Sequence, residues 1–291
     1  MTPAVADISL DPGVSQSGKV TIGNDENAPQ TFYISIQKFI PSGDSGQQTF
    51  LPPSDTSGLP NWISFDRPSF TLRTGESRQL TYVVNVPRDA APGGYYAVVF
   101  FSNVPPGTQQ TNVSIGARTG MLFFITVKGA VVEQAFLEDF AMETPARIDR
   151  LPASFRVVLQ NVGNVHVLPE GSLTIRNVFG NTVARIPLNQ AKNRILPNSK
   201  RRFLLSWYKD IPELGSGFLH DAKEEWKNFA VGPYRATLEI VSPKTNGLTT
   251  QTLSFWVLPW RLGILFVLGL CVLMVLGRLH RRWVIARATR A

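Results

Sequence analysis

Apolar and polar residues alternate with a period of two along most of the first 258 residues. Leu80, Tyr82, Val84 and Val86 alternate with Thr81, Val83 and Asn85. Phe155, Val157 and Leu159 alternate with Arg156, Val158 and Gln160. Tyr234, Ala236, Leu238 and Ile240 alternate with Arg235, Thr237, Glu239 and Val241. Alternation sends successive side chains to opposite faces, so these stretches predict strands. One segment departs from the pattern. Phe218, Leu219, Ala222, Trp226 and Phe229 recur at helical spacing in "FLHDAKEEWKNF". This predicts a short amphipathic helix whose apolar side covers a sheet end.

The strands fall into two copies of one plan. "GKVTIGN", "TFYISIQKF", "FTLRTGESRQLTYVVNVP" and "PGGYYAVVFF" recur in the same order as "SFRVVLQN", "GSLTIRNVFG", "RILPNSKRRFLLSWYKDIP" and "VGPYRATLEIV". Asn24 aligns with Asn161 and Tyr95 with Tyr234. Each copy has the length and strand number of an immunoglobulin-like sandwich. The expected fold is all-β: two tandem immunoglobulin-like β-sandwiches over residues 7–130 and 131–258, the second with a helical insertion near 218–229. The Pro-Gly-Gly break before Tyr95 recurs as "VGPY" before Tyr234. It therefore predicts a corner into a strand, with Tyr95 bonding back to the chain.

By that alignment Tyr95, Ala97, Val99 and Phe101 face inward, and Tyr96, Val98 and Phe100 face outward. The strand at 121–127 is apolar on both sides as well, with Leu122 and Phe124 on its outer side. A solvated sheet face should be polar, so an apolar one is covered. The cover is the rest of the chain (the second domain, the 102–120 loop or the 40–61 segment) or a partner protein. In the second case Tyr96, Val98, Phe100, Leu122 and Phe124 are the partner-binding residues.

Residues 262–277, "LGILFVLGLCVLMVLG", hold no charge. Flanked by Trp260 and Trp283, with Arg261 and Arg278 placed to snorkel, they predict a transmembrane helix over 260–279. Arg278, Arg281, Arg282, Arg287 and Arg290 then place a basic tail, 280–291, in the cytoplasm. Trp260, Arg261, Arg278, Arg281, Arg282 and Trp283 are the expected anchors at the lipid bilayer, and the domains before them lie outside the membrane. That topology requires export. The start "MTPAVADISL" has no basic and apolar leader, while Ala4-Val5-Ala6 fits a small-x-small cleavage pattern. The expectation is a missing signal peptide and a mature start near Asp7.

Charge narrows the function. The net charge of +8 suggests nucleic acid, but six arginines and no acid lie in the last 32 residues, and the rest is close to neutral. The basicity belongs to the tail, and no nucleic-acid partner is expected. The single cysteine, Cys271, excludes an intrachain disulfide. No two histidines among His166, His220 and His280 have metal-ligand spacing, and no G-x-S-x-G elbow or phosphate loop is present. Asp210, Glu213, Asp221, Glu224 and Glu225 read as a solvated charged face. No catalytic residue, metal or cofactor is expected, and the chain reads as a non-enzyme. The sequon Asn112-Val113-Ser114 falls in a loop.

"ISLDPGVSQSGKVTIGN", "WISFDRPSFTLRTGESRQLTYVVNVPRDAAPGGYYAVVFF" and "GMLFFITVKG" resemble the N-terminal domain of bacterial WxL-interacting cell-surface proteins over about residues 7–130. The second domain and the single anchor fit that layout more loosely. The resemblance implies a membrane-anchored scaffold or adhesion protein that binds peptidoglycan or other surface proteins. Two alternatives stand beside it. One is a strand-donating assembly chaperone for surface subunits. The other is an accessory subunit held in a membrane complex through Gly263, Gly269 and Gly277.

Overall fold

The computed structural model describes residues 1–105, 118–242 and 247–288; the sequon and Arg290 lie outside the described residues. The chain is mostly β-sheet, with 50% of residues in strands, and has one C-terminal apolar helix. The strands are β1 (Val5–Leu10), β2 (Ser15–Gly23), β3 (Gln30–Ser42), β4 (Gln47–Phe50), β5 (Ile63–Phe65), β6 (Ser69–Leu72), β7 (Ser77–Asn85), β8 (Gly93–Ser102) and β9 (Arg118–Val127). They continue as β10 (Ala135–Met142), β11 (Arg147–Ile148), β12 (Ala153–Asn161), β13 (Glu170–Asn177), β14 (Thr182–Pro187), β15 (Ser199–Trp207), β16 (Gly232–Ser242) and β17 (Gly247–Val257). The helices are α1 (Leu59–Trp62), α2 (Phe218–Lys227) and α3 (Trp260–Ala288).

Two compact units divide the chain. The first comprises Met1–Glu138, Val158–Pro169 and Lys192–Arg202; the second comprises Asp139–Val157, Glu170–Ala191 and Phe203–Ala291. Residues 158–169 and 192–202, assigned by sequence to the 131–258 domain, thus group with the first unit.

In the first unit one sheet runs β1-β9-β8-β3-β4, with β6 also on β3, and another runs β2-β7-β5. Val20, Ile22, Leu80, Tyr82 and Val84 from the smaller sheet share one core with Val99, Phe101, Phe123 and Ile125 from the larger. Alternation places these side chains inward because a strand turns every second residue to the same face. Tyr82 meets Phe123 edge-on at 4.9 Å between ring centroids, a favoured aromatic arrangement.

The break at Pro92-Gly93-Gly94 is the expected corner. Tyr95 Oη donates to the carbonyl of Ala91 at 3.0 Å. The aligned Tyr234 does the reverse job with the same atom, accepting from the Val231 N–H at 3.3 Å. Gly94 is required by its neighbour: a Cβ there would lie 2.0 Å from Tyr96 Oη. The space that the glycine leaves is filled by the tyrosine ring.

In the second unit a five-stranded sheet runs β11-β17-β16-β13-β14. Strands β16 and β17 pair over their whole length, from Gly232 with Val257 to Ser242 with Gly247. Phe255 anchors the core, with Phe155 edge-on at 5.5 Å and Tyr234 stacked at 5.7 Å. A further sheet of three strands has the order β10-β12-β15.

Candidate functional site

The outer face of β8 and β9 has the composition expected. Val98, Phe100 and Phe124 are buried there, with Tyr96 and Leu122 partly so, and they pack with Phe39 and Leu196. The cover comes from the first unit itself. Phe50 of β4 meets Phe100 edge-on at 5.2 Å. His166 lies edge-on to Phe124 at 5.2 Å and to Tyr96 at 5.8 Å. The guanidinium of Arg194 sits 4.8 Å from the Phe124 centroid, and that of Arg118 lies over Phe100. Arginine suits this role because its flat, weakly hydrated cation stacks on an aromatic face. Tyr96, Val98, Phe100, Leu122 and Phe124 therefore form no open apolar surface. Burial pushes the Tyr96 phenol pKa up.

One carboxylate ties the cover down. Asp7 Oδ2, on β1, accepts from Arg194 Nε at 2.8 Å and lies 3.3 Å from His166 Nε2. Burial raises the Asp7 pKa, but hydrogen bonds and attraction from His166 and Arg194 outweigh it and leave the carboxyl below its usual value. The sequence reading missed this trio because its members come from three distant segments.

The same sheet leaves part of one edge open. Strand β8 pairs with all of β9, from Ser102 with Arg118 to Gly93 with Val127. On the other side β1 pairs in parallel with Leu122–Val127 only. The chain before β1 turns to the other sheet, where Thr2 and Thr21 exchange backbone bonds of 3.0 and 2.8 Å. The Leu122 N–H donates to Ala4 O, so Leu122 faces β1. By the period of two, Gly120 and Arg118 face the same side. Among the described residues no strand pairs with them there. Residues Val5 and Ala6 of the small-x-small pattern lie in the β1 ladder, opposite Leu122 and Phe123.

Helix α2 forms where expected but turns the other way. Ala222, Glu224 and Glu225 are its buried residues, while Leu219 and Trp226 are 75% and 72% exposed. The expectation of an apolar buried side and a solvated acidic side is corrected. Arg261 supplies the reason for Glu225. Its guanidinium bonds Asp149 at 2.5 Å, Glu225 at 3.0 Å and Asp221 at 3.1 Å. Arg150 adds a 2.6 Å bridge to Asp221. The N-terminus of α3 has no acid in its first turn, and Glu225 Oε2 accepts the Leu262 N–H at 2.9 Å. A carboxylate there satisfies an otherwise unpaired N–H and complements the helix dipole.

The anchor residues separate accordingly. Arg261, expected to snorkel, is instead held by three carboxylates with its side chain 15% exposed. Trp260 meets Phe218 edge-on at 6.1 Å. Arg278, Arg281, Arg282 and Trp283 are exposed on α3, which continues as helix through Ala288 beyond the expected end at 279. Within its segment Trp260–Trp283 an 18-residue window has a mean hydropathy of 2.5, and the segment is long and apolar enough to cross a membrane.

No protein-family model and no curated protein matches the chain. Solved structures similar to it include a chain from a chaperone–tip adhesin complex of CFA/I fimbriae, at 13% identity and a TM-score of 0.41, covering 86% of this chain and 96% of that one. The class 5 fimbriae chaperone CfaA matches at 14% identity and 0.40 over the same shares. The Pseudomonas aeruginosa CupB2 chaperone matches at 12% and 0.36, covering 86% and 97%. The expectation of a scaffold or adhesion protein that binds wall polymer is corrected on this finding, because these three similar structures come from fimbrial chaperone systems. The chain itself is mostly β-sheet with one C-terminal apolar helix.

Proposed function

We propose that this protein is a membrane-anchored assembly chaperone that pairs the open edge of β9 with an extended segment of a surface subunit. The observation that carries this reading is the half-paired β9, bonded to β8 along all ten residues and to β1 along six. The groups at Gly120 and Arg118 offer a template for one more strand. Strand β14, another sheet edge, is a poorer template, because it ends in Pro187.

In this reading the partner is a protein, and the protein does no covalent chemistry. Two tandem immunoglobulin-like sandwiches lie outside the membrane, α3 spans the bilayer once, and the arginines after Gly277 hold the tail in the cytoplasm. The resemblance of residues 7–130 to WxL-interacting proteins enters the proposal only as an extracytoplasmic domain on a single anchor.

The test is a photocrosslinking amino acid at Arg118 in the full chain, expressed in its native membrane, with mass spectrometry of the adduct. The expected result is one secreted subunit, joined through an extended segment and lost when Gly120→Pro removes an edge donor. Adducts to lipid alone, or a yield unchanged by Gly120→Pro in a folded chain, would overturn the reading.

A further inference from the structure

Glu225 and Asp221 on α2 are ion-paired to arginines; Glu224 makes no such direct pair, although the charge of Lys227 is near enough to act on it. Glu224 is 3% exposed, and both its carboxylate oxygens are buried without a hydrogen-bond partner. A carboxylate in that position is strongly disfavoured unless something positive occupies the space beside it. One turn earlier His220 has both ring nitrogens buried and unpartnered; its Nδ1 lies 3.6 Å from Asp221, too far for a hydrogen bond. The i, i+4 spacing puts His220 and Glu224 on one side of the helix. Glu213 joins them from the chain before α2, and one ligand atom from each of the three lies within 4.8 Å of the others.

The surrounding chain is shaped to this cluster. Gly215 passes so close to the imidazole that a Cβ would lie 2.4 Å from His220 Nε2. Only a residue without a side chain lets the segment after Glu213 lie against the ring. Glu213 is exposed, accepts from Lys223 Nζ at 3.0 Å and also bonds Lys227. These lysines neutralise Glu213, but no hydrogen bond reaches Glu224.

We propose that Glu213, His220 and Glu224 bind a divalent transition-metal cation of the zinc type. One imidazole and two carboxylates suit a borderline ion that accepts nitrogen and oxygen together. Metal–ligand bonds of about 2.0–2.2 Å require any slack among the three donors to be taken up by movement. Glu213 can supply that movement, because it is exposed and lies outside the helix. The cation replaces the lysines at Glu213, neutralises Glu224 and ties the segment before α2 to the helix. Sequence spacing concealed the site, since it needs one histidine and not a pair.

The untagged full chain in detergent, stripped with a chelator and titrated with Zn²⁺ alone, tests this by calorimetry and metal analysis. The expected result is one ion per chain, with affinity lowered at least about tenfold in His220→Ala and Glu224→Gln. Lys227→Met should tighten binding, because it removes a competing cation, which a merely structural Glu224 would not do. If Glu224→Gln does not fold, the exposed Glu213→Gln carries the same comparison. The absence of stoichiometric Zn²⁺ binding, or an affinity in His220→Ala and Glu213→Gln unchanged from the parent chain, would overturn the proposal.

Discussion

Asn161 at the end of β12 repeats the bonds that Asn24 makes just after β2. Asn24 Nδ2 donates to the carbonyls of Ala28 at 2.9 Å and Leu72 at 3.3 Å, while its Oδ1 accepts from Glu26 N–H at 3.2 Å. Asn161 Nδ2 donates to Val165 and Ile195, each at 2.8 Å, and its Oδ1 accepts from Gly163 N–H at 2.8 Å. In both cases a buried amide closes the turn after a strand and fastens it to a distant segment. The chain repeat is thus carried by a shared polar device as well as by alternation.

Each amide is itself buried and bonds backbone groups of its turn and of a distant segment. Asn24→Ala and Asn161→Ala should each lower stability by about 1–3 kcal/mol, the cost of leaving buried polar groups unpaired. Denaturant unfolding of the full chain in detergent measures this. A loss below a few tenths of a kcal/mol at either position would show that water replaces the amide.

The Arg261 network predicts a larger effect. Glu225 is fully buried in its bridge to Arg261. Arg261→Met strands that carboxylate and should destabilise the second unit by about 3–5 kcal/mol. Thermal unfolding should show it. Adding Glu225→Gln to Arg261→Met should recover part of the loss, since the stranded charge is then gone.

Asp7 predicts a pH dependence. Its pKa in the folded chain is below the unfolded value, so the folded state favours the charged carboxylate. The stabilisation is present above the unfolded carboxylate pKa and is lost as pH falls through the folded one. Acid titration of unfolding should therefore show the first unit weakening below the ordinary carboxylate range, and Asp7→Asn should flatten that dependence. An unchanged acid profile in Asp7→Asn would refute the role of the trio.

Gly94 and Tyr96 form a testable pair. A methyl at Gly94 would overlap Tyr96 Oη, so Gly94→Ala should cost about 1–3 kcal/mol by overpacking. The double variant Gly94→Ala, Tyr96→Ala should lose less than the two single losses combined, because the clash disappears with the ring. Melting temperatures of the four proteins decide it.

Much of the architecture was legible before any tertiary contact was known. The inward set Ala97, Val99 and Phe101 and the outward set Tyr96, Val98 and Phe100 follow from period-two geometry alone. The corner at Tyr95, its repeat at Tyr234 and the apolar helix after Pro259 are equally local signals. The candidate sites were not local. His166, Arg194 and Leu196 lie far along the chain from the β8–β9 face they cover. Helix α2 misled because periodicity reports only that one side differs from the other, and its buried side carries acids.

The sequence by itself determined where the chain is extended, which side chains share a face and where an apolar span begins, because backbone geometry imposes those periods on neighbouring residues. Only the tertiary structure decided what those faces meet. It brought Asp7 to Arg194 and left Gly120 and Arg118, paired to β8 on one side, without a strand on the other among the described residues. It also placed Glu225 against Arg261 and enclosed Glu224 beside His220. Such pairings depend on which distant segments can satisfy one another's charge and hydrogen bonds once water is excluded, and no local pattern encodes that choice.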